Sequence, residues 1–155
     1  MTTLAVAFAI GMLNGLRTFT PPAVAAWATR LGWIRLQGAL ALMGSLPSVA
    51  FFTLMAAFEL FADKMPRIPN RTSPMSLLGR GVMGALTGAC IAVAGEQPLA
   101  AGGACGVAGA MAGAFAGFHA RMRLVKALGA PDLYIALAED LTCLGGALWF
   151  FSRFR

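Results

Sequence analysis

The sequence predicts an all-α fold, a polytopic transmembrane helical bundle of about five crossings forming one domain over residues 1–155. Three observations predict it. Between Arg35 and Glu59 lie 23 residues without a charge, LQGALALMGSLPSVAFFTLMAAF, long enough as a helix to cross a bilayer. The chain is 59% hydrophobic and only 12% charged, about half the charged fraction of ordinary soluble domains. With a mean hydropathy of +0.76 in 16.1 kDa, a soluble fold would lack the interior to hide so much apolar surface. Lipid removes that difficulty, because helices there can be apolar on every face.

The elements follow in chain order. The first hydrophobic unit, Thr3 to Leu16, reaches only about 21 Å as a helix. Its start, MTTLAVAFAIGMLNGLR, lacks a basic leader and a clear processing site, so it reads as a retained segment. Arg17 interrupts it, Pro21-Pro22 favours a break, and AVAAWATRLG resumes a helical pattern. Either one irregular crossing runs from about 3 to 30, or a short helix meets a second half-helix. Broken backbone inside a membrane needs protein or water to satisfy its polar groups, so this stretch should face the protein interior.

The second crossing is Leu36 to Ala62. The Pro- and Arg-rich DKMPRIPNRTSP after it is a loop. A third crossing covers Leu77 to Ala94, with Arg80 near its start and able to snorkel, and Glu96-Gln97-Pro98 turns the chain. The fourth, Leu99 to Phe118, carries Gly102, Gly106, Gly109, Gly113 and Gly117. Small residues at that spacing let helix backbones approach closely. HARMRLVK reads as a basic loop, and a fifth crossing runs from Leu133 to Phe151. Trp27, Trp33, Tyr134 and Trp149 fall near the ends, as interfacial anchors should.

The net charge of +6 sits in the breaks between apolar runs, where basic residues set topology and meet lipid headgroups. A nucleic-acid role would want a polar surface and a recognisable module, and neither is present. Lys64, Arg67, Arg71, Arg80, Arg121, Arg123 and Lys126 fall on one face, against Arg30, Arg35, Arg153 and Arg155 on the other. That asymmetry favours the first face as cytoplasmic and, with five crossings, a cytoplasmic N-terminus. A short echo links GLRTFTPPAVAAWATRLG with GFHARMRLVKALG, and FELFADK with ALAEDL. It would pair the first crossing with the fourth and the second with the fifth, as antiparallel internal repeats. Cys90, Cys105 and Cys143 lie in apolar stretches without metal-ligand spacing and read as small buried hydrophobes.

Chemistry concentrates in the intramembrane polar residues. Glu59 and Asp63 are four apart on one helical face, and Glu139 and Asp140 lie well inside the fifth crossing. An unpaired carboxylate there is costly, so each needs a partner, a proton or an ion. Arg17 is the evident partner, and Asn14 lies one turn before it. Asn14, Arg17, Glu59, Asp63, Glu139 and Asp140 therefore form the candidate polar or ion site. Its alternatives are a helix-locking pair of Arg17 with Glu139 or Asp140, a transport site, or a catalytic site holding a metal and a lipid phosphate. Lys64, Arg67 and Arg71, stiffened by neighbouring prolines, are candidate anion or headgroup contacts.

GLRTFTPPAVAAWA, FELFADKMPRIPNRTSP, GRGVMGALTGA and ALAEDL together resemble a bacterial family of small integral membrane proteins, known by the domain-of-unknown-function label DUF4126. The resemblance covers almost the whole chain, and its central segment is the most specific part. It implies a bacterial inner-membrane location and carries no activity or ligand. The functional expectation is a small carrier or channel for an ion or small polar solute, with a cation or proton as ligand and no cofactor. A membrane enzyme acting on a lipid or phosphorylated substrate and a non-catalytic scaffold are the alternatives. Homo-oligomerisation is expected, because five helices barely enclose a polar path and the glycine-rich helix offers a packing surface.

Overall fold

The computed structural model describes residues 2–62, 73–128 and 132–155. Among them are six α-helices: α1 (Thr3–Leu16), α2 (Thr20–Arg30), α3 (Leu46–Ala62), α4 (Pro74–Ala94), α5 (Leu99–Leu128) and α6 (Asp132–Ser152), with a 3-10 segment at Gly38–Gly44. Helices α4, α5 and α6 are long and apolar enough to cross a membrane. The 3-10 segment with α3 makes a fourth span if the bent pair is counted as one, and α1 is a shorter apolar helix. The all-helical, multi-pass membrane architecture is thus as expected.

Local chemistry sets the boundaries. Thr2 caps α1 through its hydroxyl, which accepts from the Ala5 amide at 3.3 Å. The helix ends where Arg17 turns extended, at φ −134° and ψ 119°. Pro21 and Pro22 sit in the first turn of α2, where a missing N–H costs nothing. The prolines therefore start a helix, and the break precedes them. The second crossing is also broken: the 3-10 segment meets α3 at 65°. Gly38 at φ 60° enters that segment, and Ser45 followed by Pro47 restarts the chain as a helix. Ser73 caps α4 through a bond from the Ser76 amide at 3.4 Å. HARMRLVK is not a loop but the last part of α5, because its residues are mostly good helix formers.

Pairings fix the direction of every helix. Gly95 at the end of α4 lies against Thr3, whereas Asn14 bonds Thr87 earlier in α4, so α1 and α4 are antiparallel. Gly11 faces Gly106 and Gly15 faces Gly113, so α1 and α5 run the same way. Cys143 bonds the Leu13 carbonyl and Asp140 pairs with Arg17, which makes α6 antiparallel to α1. Arg155 stacks over Trp33 at 5.9 Å, placing the end of α2 beside the end of α6. Helix α2 therefore returns toward the face where α1 began. Of the two readings of residues 3–30, the short helix meeting a second helix is the one found, and the two run in opposite directions. Both chain termini thus lie at one end of the bundle, whereas five crossings would separate them. Of the pairs in the sequence echo, the first is split, with α1 running in the same sense as α5 and α2, which carries most of the echoing residues, in the opposite sense; α3 and α6 run in opposite senses.

The core of the bundle is α1, α4 and α5 at backbone contact. A Cβ at Gly84, Gly88 or Gly106 would strike the facing helix backbone, and Gly109 and Gly113 lie equally close to Phe8 and Met12. The glycine stripe is therefore used inside the chain, as small-residue stripes are in packed membrane helices. One consequence is testable by labelling. In a cysteine-free background, Thr2→Cys and Arg155→Cys should react with an impermeant maleimide from the same side of intact vesicles. Arg123→Cys should react from the other side. Opposite sides for Thr2 and Arg155 would contradict the helix directions.

Candidate functional site

Three residues, Arg17, Thr18 and Phe19, separate α1 from α2, and the polar groups of the bundle gather round this break. Its exposed backbone is satisfied by side chains. Both oxygens of Glu59 accept backbone N–H groups, from Thr18 at 2.7 Å and from Phe19 at 2.8 Å. A carboxylate at a helix N-terminus also opposes the positive end of the helix dipole. On the other side of the break, the Arg80 guanidinium donates to the Gly15 carbonyl and to Ser76 Oγ at 3.2 Å. Arg80 is buried; it does not snorkel to the surface, because the open end of α1 needs a donor there.

Arg17 is 1% exposed and pairs with Asp140, which remains 15% exposed. The pair joins α6 to the break. One turn earlier, Asn14 is fully buried and donates to Ile10 O at 2.9 Å and Thr87 Oγ1 at 2.6 Å. Thr87 Oγ1 in turn donates to Met83 O at 3.0 Å. The Asn14 Oδ1 has no hydrogen-bond partner among the described residues. Glu139 pairs instead with Arg121 at 3.4 Å, because neighbours on a helix point about 100° apart.

The structure thus brings Arg17, Glu59 and Asp140 together at the break. Asn14 is nearby but engages α4, and Glu139 engages α5. Asp63, Lys64, Arg67 and Arg71 lie outside the described residues. Sequence reasoning missed the roles of Thr20, Thr87 and Arg121. Thr87 has a signal in hindsight, as the one hydroxyl in the apolar run of α4 after Ser76. Among the described residues, no group of three His, Cys, Asp or Glu side chains could hold a metal ion.

Beside the break lies a groove of about 370 Å³ between α3 and α6, floored by α2. Ala56, Ala57 and Leu60 line one side, Leu137 and Leu141 the other. Thr20 and Asp140 contribute its polar groups near the break. Seven residues along α2, Trp27 donates to Thr53 Oγ1 at 3.1 Å. Replacing Glu59 with Ala leaves two amides without their acceptor. The expected loss is about 1.5–3 kcal/mol of stability, read by denaturant unfolding in detergent, with Glu59→Gln costing less. No change on Glu59→Ala would contradict the capping role.

The model of a family described as Domain of unknown function (DUF4126) matches residues 4–152. No curated protein and no solved structure matches the chain.

Proposed function

The chain belongs to the DUF4126 family, and we propose that this member is a small integral membrane carrier or channel for an ion or small polar solute, with Arg17–Asp140 as its exchangeable pair. The observation that carries the reading is a buried ion pair at a helix break, on the edge of a groove. Ionisable groups within membrane helices are costly to keep and commonly mark ion or proton paths. Discontinuous helices supply the binding sites of many secondary carriers. Arg17 and Arg80 bring two positive charges to the break, and Asp140 and Glu59 bring two negative ones. Of the described residues that line the groove, only Asp140 is charged, so a cation or proton that takes it from Arg17 meets a carboxylate there.

The location that goes with this reading is a bacterial inner membrane. The basic residues between α3 and α4 and at the end of α5 favour that face as cytoplasmic. With both termini at the opposite end, the N-terminus then faces outward, which reverses the orientation expected from five crossings. A homo-oligomer is part of the proposal. Phe51, Leu54, Phe58 and Phe61 expose an apolar stripe along α3, a surface for lipid or a second copy.

The test is flux into liposomes carrying the purified protein, with trapped dyes for protons, sodium and potassium. At least one ion should move tenfold faster than in protein-free liposomes. Asp140→Asn should abolish that flux, and Glu139→Gln should keep it. A second reading, a non-catalytic scaffold, is favoured by the partners that Glu59, Glu139 and Asp140 already have within the chain. Absent flux from a folded protein, or equal loss of fold in both variants, would favour the scaffold and sink the carrier.

A further inference from the structure

Resting on the carrier reading, we propose that the groove between α3 and α6 binds an amphipathic cation: a protonated amine at Asp140 and Thr20, with its alkyl chain laid along α2 toward Trp27. The walls are alanines and leucines with Thr53, and the one charged group among the described residues is the Asp140 carboxylate, on the side of the break, so the groove suits an amphiphile. From Thr20 to Trp27 the helix rises about 10 Å, the length of an octyl to decyl chain.

Charge and hydrogen bonding select the head. Thr20 is 7% exposed and lines the groove, yet its Oγ1 has no hydrogen-bond partner among the described residues. Asp140 is paired with Arg17 and still 15% exposed. An ammonium group offers three donors and no acceptor, enough for the carboxylate at the groove and, with a turn of the Thr20 side chain, for the buried hydroxyl. Asp140 is the one charged residue among the described residues lining the groove, which favours a positive head and opposes a carboxylate head. The chain itself gives little selectivity, because lipid tails are as apolar as the groove walls. Discrimination therefore rests on the head, and compounds of one chain length isolate it.

The experiment uses the full chain in nanodiscs of zwitterionic lipid, with Trp33→Phe and Trp149→Phe leaving Trp27 as the sole indole reporter. Decylamine, decanol and decanoate are titrated in turn while Trp27 fluorescence is read. Decylamine should give a saturable change with half-saturation at least tenfold below that of decanol, and decanoate should give none. Asp140→Asn should erase the difference between amine and alcohol. Ala57→Phe, which fills the groove away from the ion pair, should erase binding while the protein stays folded. It keeps the proposal open to refutation if Asp140→Asn fails to fold.

Equal responses to the three heads would overturn the inference and assign the groove to membrane lipid chains. So would an amine response untouched by Ala57→Phe. Ion flux that survives alongside equal responses would overturn this inference alone and leave the carrier standing. A tenfold amine preference in a protein without flux would support the binding site and overturn carriage.

Discussion

Replacing Arg17 with methionine is expected to cost the folded protein about 3–5 kcal/mol, because it leaves Asp140 without its buried partner. Arg17 is almost wholly enclosed, so water cannot replace the guanidinium. The double variant Arg17→Met with Asp140→Leu removes both charges and should recover more than half of that loss, since an apolar pair of similar volume often matches a buried ion pair. Unfolding in detergent, followed by helical circular dichroism, measures both. If the double variant is no more stable than Arg17→Met, the two residues do not act as a pair. The same double variant should show no flux even when well folded, which separates the stability of the pair from its use.

The second large effect lies in the glycine core. Gly106→Leu should lose more than about 4 kcal/mol and fail to give folded protein. A Cβ there would meet the Gly84 carbonyl, and it would lie 3.1 Å from the Gly88 Cα. Gly11 of α1 presses on the same residue. Backbone cannot rotate out of the way as a side chain can, so three helices would have to separate. Gly145→Ala is the control. Nothing lies within 4 Å of its Cβ position, and alanine should stabilise α6 by about 0.5–1 kcal/mol. Comparable losses in the two variants would contradict the packing of α1, α4 and α5.

Much of the fold is legible in the chain because lipid imposes a simple pattern. Apolar runs bounded by Pro, Gly and basic residues mark α4 and α6 to within three residues at each end, and the start of α5. The reversal between α1 and α2 is not legible, since a helix break looks the same whether the chain continues or turns back. Only tertiary pairings such as Thr3 with Gly95 and Trp33 with Arg155 decide it. The length of α5 was hidden for another reason: basic residues suggest a loop, yet arginine and lysine are good helix formers.

The site divides in the same way. The cost of intramembrane charge points to Arg17 and Asp140 from the chain alone. Glu59 was singled out for the same reason, but its partners are backbone amides, which leave no mark in the sequence. Glu139 and Asp140 are adjacent in the chain and part company because a helix turns them to different neighbours. Thr20 gave no signal, because a threonine beside two prolines reads as part of a turn.

The measurement closest to the exchangeable pair is reaction of the bilayer-embedded protein with dicyclohexylcarbodiimide, a hydrophobic reagent for protonated carboxyl groups, followed by peptide mass mapping. Asp140 should be modified within the folded protein, and modification should fall when decylamine is present. Glu59, held by two amides, and Glu139, held by Arg121, should stay unmodified. An unreacted Asp140 in a folded protein, or equal reaction at all three carboxylates, would contradict an exchangeable site at the groove.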